Sequence, residues 1–312
     1  MKMNEIKKIL VLIESREQAQ HLIVKSQTLA EAVGATVEVF TCCYSQSLSN
    51  SYLFDREARE HGKIGFIHGV ERWLDELIEP LLEKNMNVST DVYWDRHLEQ
   101  GMMTKIERYQ PDLVIKDCRY HHRLDQHLLG HVDWELIRHC PVPLMLVRPA
   151  AWSEAPIIVA AIDPIRSHEK TASLDMRILD NANHLCHWIG GRLNLFHCFQ
   201  PLPTSVIFDD TVMFDYDQLR DKLRQTHLQA MEELLDQFGL PASGMEAHLS
   251  EGEAHQELPA YLTEASADIV VMGAVERGII DRFFVGTTSE MALDHISCDL
   301  LIVKDRTAVE EE

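Results

Sequence analysis

Two segments, Asp112-Leu-Val-Ile-Lys-Asp117 and Asp268-Ile-Val-Val-Met-Gly273, stand 156 residues apart. Each is a short apolar run led by an aspartate. Unalternating Val, Ile and Leu mark strands covered on both faces, as in a parallel sheet wrapped by helices. The same offset superposes Gly34-Ala-Thr-Val-Glu-Val-Phe40 on Gly190-Gly-Arg-Leu-Asn-Leu-Phe196, and Gly130 on Gly286. It also aligns a helical stripe, Ile67, Leu74, Ile78 and Leu82, with Leu223, Ala230, Leu234 and Phe238. Towards the ends the offset drifts from 149 (Glu14 and Asp163) to 158 (Cys140 and Cys298), as insertions would produce. The chain is a tandem duplication.

Each half spells the same order of strands. In the first they fall at Lys8–Ile13, Thr36–Cys42, Ser89–Trp94, Leu113–Lys116 and Leu144–Val147. In the second they fall at Ile157–Ile162, Arg192–Cys198, Glu246–Ser250, Ile269–Met272 and Leu300–Val303. Helical segments separate them. The expected fold is α/β, two tandem doubly wound, Rossmann-like domains of five parallel strands each. The domains are expected at residues 1–150 and 155–312, joined by the proline-bounded stretch from Val147 to Pro156.

Composition limits the function. With 29 basic against 50 acidic residues, the net charge is −21, a field that disfavours nucleic acid and anionic membranes. No apolar run reaches the length of a membrane span. Seven cysteines, an odd number without a C-x-x-C pair, read as small buried hydrophobes in a reducing compartment. The N-terminus runs straight into a strand without a signal-peptide core, so a cytoplasmic location is expected.

In an open parallel sheet, ligands bind beyond the carboxyl ends of the strands where the winding reverses. If strands 1 and 4 flank that point, Asp163 stands opposite Gly273 in the second half, and Glu14 opposite Asp117 in the first. After Gly273 the chain reads Ala-Val-Glu276-Arg277-Gly278, then Gly286-Thr287-Thr288-Ser289, a glycine-bearing loop leading to hydroxyls that could open a helix. The plain alternative is a threonine cap with glycines easing the turn.

At these residues the chain resembles the universal stress proteins. Their signature after strand 4 is Gly-x2-Gly-x9-Gly-[Ser/Thr], with an Asp ending strand 1. The resemblance covers both halves and extends to Cys298-Asp-Leu-Leu-Ile-Val-Lys304. It implies ATP or AMP as a ligand, with Asp163 on adenosine and Gly273, Gly286 and Thr287 on phosphate. Arg277 and Thr288 are further nucleotide-binding candidates. Glu276 replaces the middle glycine, and a carboxylate ~6 Å from one phosphate charge costs ~3 kcal/mol at an effective dielectric of 20. Nucleotide affinity in this half is therefore expected to be weak. In the first half Asp117, Tyr120 and His131 occupy signature positions and only Gly130 survives, so no ATP binding is expected there. Because single-domain relatives pair, the resemblance also implies that the halves pack as a built-in pseudo-dimer. Pairing of their fifth strands would bury two edges. Association of two chains into a homodimer is left open.

His127 and His131, four apart, could share a helix face as metal ligands, although 17 histidines make chance proximity a strong competitor. The apolar stretch from Pro201 to Tyr216 reads as a lid over a lipophilic ligand, as a contact surface, or as a loop packed on its own core. Glu251, Glu253 and His255 gather after the third strand, most simply as an acidic helix start. No Gly-x-Ser-x-Gly, His-Glu-x-x-His or Walker sequence is present, so no catalytic residues are assigned and no cofactor is required. The expected function is a non-enzymatic stress-response or ligand-binding module. The alternatives are a slow ATPase and a binder of a lipophilic metabolite.

Overall fold

The computed structural model describes residues 6–17, 19–50, 55–118, 129–165, 169–200, 216–239, 245–274, 293 and 295–304. The chain divides between Ala151 and Trp152 into two compact units. In the first, the order is β1 (Lys8–Ile13), α1 (Ala19–Val33), β2 (Thr36–Cys43), α2 (Gln46–Asn50), α3 (Arg56–Glu83), β3 (Val88–Trp94), α4 (Leu98–Tyr109), β4 (Leu113–Asp117), α5 (His131–His139) and β5 (Leu144–Val147). In the second it is β6 (Ile157–Ala161), α6 (Glu169–Ile189), β7 (Arg192–Phe199), α7 (Tyr216–Phe238), β8 (Glu246–Glu251), α8 (Ala254–Glu264), β9 (Ile269–Ala274) and β10 (Asp299–Lys304). All ten strands lie within two residues of the ends read from the sequence.

Strands run β3-β2-β1-β4-β5 across the first unit and β8-β7-β6-β9-β10 across the second. Pairing is parallel throughout. The first strand of each unit sits centrally, and the chain winds outward from it in both directions. Burial follows position: Ile9, Leu10, Val11 and Leu12 are fully enclosed, as are Ile158, Val159 and Ala160. The winding reverses between β1 and β4, and between β6 and β9.

The duplication is visible in hydrogen bonds as well as in sequence. Asp112 accepts from the backbone N–H of Lys7 (2.8 Å) and Lys8 (3.0 Å), tying the start of β4 to that of β1. Asp268 does the same at β6, accepting from Ile157 N–H (2.9 Å), Ser153 N–H (2.8 Å) and Ser153 Oγ (2.8 Å). The left-handed Gly34 and Gly190 (φ 69° and 68°) end α1 and α6. The next N–H in each case turns back to Ala30 or Cys186. A basic side chain of α1 or α6 closes each unit: Lys25 Nζ donates to Arg148 O, and Arg177 to Lys304 O.

The helical stripe needs a correction. In α3 the buried residues are Val70, Leu74, Ile78 and Leu81, whereas Leu82 is 50% exposed. In α7 they are His227, Met231, Leu234 and Leu235. The face that meets the sheet is rotated by about one residue from the stripe that repeat alignment picked out. Alignment matched apolar residues to one another and passed over a histidine. Among the described residues no helix is long and apolar enough to cross a membrane.

The aspartate braces carry a prediction. Asp268→Ala leaves three donors without their acceptor and should lower stability by about 1–3 kcal/mol. Chemical denaturation of that variant should show a larger loss than Asp112→Ala, which frees two.

Candidate functional site

The two reversal points are built from equivalent positions and differ in content. In the first unit β4 ends Lys116-Asp117. Lys116 is fully buried; its ammonium donates to Asp117 O (2.8 Å) and is ion-paired with Glu14 Oε2 (2.8 Å) and Asp133 Oδ1 (2.7 Å). Burial works against the charge, but Asp133, Asp117 and Glu14 outweigh it and raise the lysine pKa. Asp117 is turned inward and 2% exposed, its Oδ1 accepting from Glu14 N–H at 3.3 Å. Burial pushes its pKa up against the pull of Lys116. Asp133, enclosed in α5, also accepts from Gly130 N–H at 2.8 Å, fixing the start of that helix. His131 begins α5 and points to solvent. The crevice of this unit is thus filled by its own ions.

In the second unit Met272-Gly273 replaces Lys116-Asp117. An added Cβ on Gly273 would stand 2.5 Å from Leu174 of α6, a fully buried side chain with no room to retreat. Glycine is therefore required by helix packing, whatever ligand is present. The consequence is local: α6 lies against β9, and its Asp175 supplies the carboxylate that accepts from Asp163 N–H (3.1 Å). In the first unit Asp117 gives that same bond to Glu14 from the strand.

With no side chain at 273 and no ion cluster, a cavity of about 610 Å³ opens over the ends of β6, β7 and β9. Its apolar walls include Ile162, Phe196, Phe199, Leu258 and Met272, and its polar groups include Asp163, Asp175, Glu253, His197 and His227. No lysine or arginine is among its described lining residues. The field is negative: burial first, then Asp163, Glu257 and Glu253, push the Cys198 thiol up to about 12. His197 Nδ1 lies 3.0 Å from Ile162 O, and its Nε2 lies 2.7 Å from His227 Nδ1. Phe199 stacks on the His227 ring with centroids 4.5 Å apart. Burial, and then His197, lower the His227 pKa to about 4, while Asp163 pulls the other way.

Asp163 and Gly273 are therefore brought to one cavity, and Glu14 and Asp117 to one ion cluster. Arg277, Gly286, Thr287, Thr288 and His127 lie outside the described residues, as do Glu276 and the apolar stretch 201–215. Glu251 is engaged by Arg220 at 2.7 Å, and Glu253 by Gln200 at 2.9 Å, so these carboxylates hold structure at the cavity rim. Among the described residues no group of three or more His, Cys, Asp or Glu is arranged to hold a metal ion. The histidine pair escaped the sequence reading. His197 sits inside a strand run and His227 inside a long polar helix, and nothing local distinguishes them from the other histidines.

The profile of the universal stress protein family matches residues 5–148 and again 157–304. The chain belongs to the universal stress protein family. It is 25% identical over 303 residues to universal stress protein E of Escherichia coli K12, covering 95% of this chain and 93% of that protein. A universal stress protein E homolog of Haemophilus influenzae is 23% identical, with 96% and 98% covered. Among solved structures, a functionally unknown protein of Pseudomonas aeruginosa PAO1 superposes with a TM-score of 0.73 at 21% identity, covering 97% of this chain and 94% of that one. A universal stress protein of Archaeoglobus fulgidus gives 0.65 at 16% identity, with 98% of each covered. This universal stress protein is of the tandem type, and its two copies of the fold have diverged at the reversal point.

Two outcomes follow from the two sites. Lys116→Met leaves Glu14 and Asp133 buried without a counter-ion and should cost about 3–5 kcal/mol in denaturant unfolding. Adding Glu14→Gln and Asp133→Asn should recover most of that loss. For His227, the folded value of about 4 lies below the ordinary 6.5, so the unfolded chain binds the proton more readily. Its stabilising contribution is fully present above about pH 6.5 and is lost as pH falls toward 4, about 3 kcal/mol in all. His227→Phe should remove that increment from the pH dependence of stability.

Proposed function

We propose that this protein is a cytoplasmic, non-enzymatic stress-response module whose second domain holds a small molecule while the first is closed to ligands. The observation that carries this reading is the contrast at one equivalent position. Lys116 and Asp117 occupy the first crevice in an ion cluster with Glu14 and Asp133, and Gly273 and Met272 leave the second open. Membership of a family named for stress supports the biological half of the proposal.

The chemistry of the cavity supports a weak interaction with ATP or AMP at most. Asp163 is placed to meet a ribose or base, and Gly286 and Thr287 are proposed to meet phosphate. The described lining, however, carries three carboxylates and no cation, so a polyphosphate receives no electrostatic attraction from it. Nothing in it pairs a nucleophile with a general base around a reacting atom, as turnover would need. A slow ATPase is the alternative that turnover would support. Its apolar walls favour, as a second reading, a lipophilic metabolite under residues 201–215.

Calorimetric titration with ATP and AMP tests the proposal. Millimolar dissociation constants are expected, with loss of binding in Asp163→Ala and unchanged binding in Lys116→Met if that variant remains folded. Gly273 variants are unsuitable because they displace Leu174. Steady hydrolysis of ATP abolished by Asp163→Ala would favour the ATPase instead. A co-purifying lipid in native mass spectra would favour the lipophilic reading.

A further inference from the structure

The histidine pair gives the second crevice a feature that the first lacks. In the first unit, Thr41 Oγ1 donates to Ile13 O at 2.8 Å, closing the end of β1. The equivalent bond in the second unit is made by His197, whose Nδ1–H donates to Ile162 O. Threonine ends the chain of bonds there. Histidine carries it one ring further, because its Nε2 faces His227 Nδ1.

The protons on this chain are set by its fixed end. A carbonyl oxygen only accepts, so His197 Nδ1 must hold a hydrogen. In a neutral ring His197 Nε2 is then the bare nitrogen, and His227 Nδ1 must donate to it. That leaves His227 Nε2 as a bare acceptor. Among the described residues no donor meets it, and His227 lines the cavity beside Phe199, with Asp163 and Glu253 on the same walls. Burial disfavours an added proton on His227.

We propose that His227 is the specificity-determining acceptor of this crevice and that His197 is its positioning residue. The ligand they select is a planar molecule, uncharged or cationic, that offers an N–H donor, such as a purine nucleoside bearing an exocyclic amine. Phe199, stacked on the His227 ring, lines the cavity with Ile162 and Met272 as an apolar surface, and the carboxylates reject an anionic substituent. This inference rests on the small-molecule reading above and deepens it by naming the chemistry that is read.

Two measurements test it. Histidine-selective 15N–1H correlation spectra of the free protein should show the hydrogen on Nδ1 of both rings. A hydrogen on His227 Nε2 would overturn the proposal whatever the ligand. Calorimetry should then compare adenosine with purine riboside, which carries hydrogen in place of the amine and has no N–H donor on that edge. Wild type should prefer adenosine by about tenfold, the worth of one hydrogen bond. His227→Phe should bind both equally. His197→Thr keeps the bond to Ile162 but frees the His227 tautomer, and should reduce the preference while leaving the fold intact. Equal binding of the two nucleosides to wild type overturns the selection and leaves a ligand-binding crevice standing. Failure of both to bind at millimolar concentration overturns the nucleoside assignment together with any nucleotide reading.

Discussion

Everything distinctive about this protein depends on one gap, the space between the first and fourth strands of each domain at their carboxyl ends. The sheet reverses its winding there, so no helix crosses over it. The gap must be closed by side chains or left for a ligand. An exposed N–H at the end of the first strand also demands an acceptor. In the first domain Asp117 supplies it from the strand, and Lys116 gathers the surrounding carboxylates. In the second domain Gly273 lets α6 approach, and Asp175 supplies it from the helix. The exchange of Lys116-Asp117 for Met272-Gly273, with Asp175 on α6, therefore moves the carboxylate from the sheet to the helix and opens the crevice.

Outside that gap the two domains keep the same connections. Asp112 and Asp268 brace the strand starts, and Gly34 and Gly190 end the helices in the same left-handed turn. These contacts involve backbone, so they constrain residue type narrowly and survive divergence elsewhere. Side chains that face the crevice are under no such constraint. Thr41 and His197 make the same bond to a strand-end carbonyl and have different reach beyond it. The functional asymmetry of the pair lies in such positions.

Much of the fold was legible because parallel strands buried on both faces write themselves as apolar runs, and a duplicated chain writes them twice. The helices were less so: in α3 and α7 the buried face is rotated from the apolar stripe, since a sheet accepts Val70 and His227 as readily as Ile67 and Leu223. Asp163 and Gly273 could be paired from topology alone, because both stand at ends of neighbouring strands. The partners of Lys116 could not. Glu14, Asp133 and Asp117 come from three elements, and a lysine inside an apolar run gives no sign of which carboxylates will enclose it.

Two doubly wound domains, the succession of their strands and the place where a ligand could sit follow from periodicity, repetition and strand polarity, all of which the sequence carries. The sequence also shows that the first site keeps Gly130 alone of its signature glycines. The tertiary structure fixes how each gap is filled, because that depends on which side chains from distant elements fall within hydrogen-bonding distance. It showed that Gly273 answers first to Leu174, and that Asp117 binds its own chain rather than merely opposing a phosphate. It also joined His197 to His227 across 30 residues of sequence, a contact set by the packing of α7 against β7 and by no local pattern.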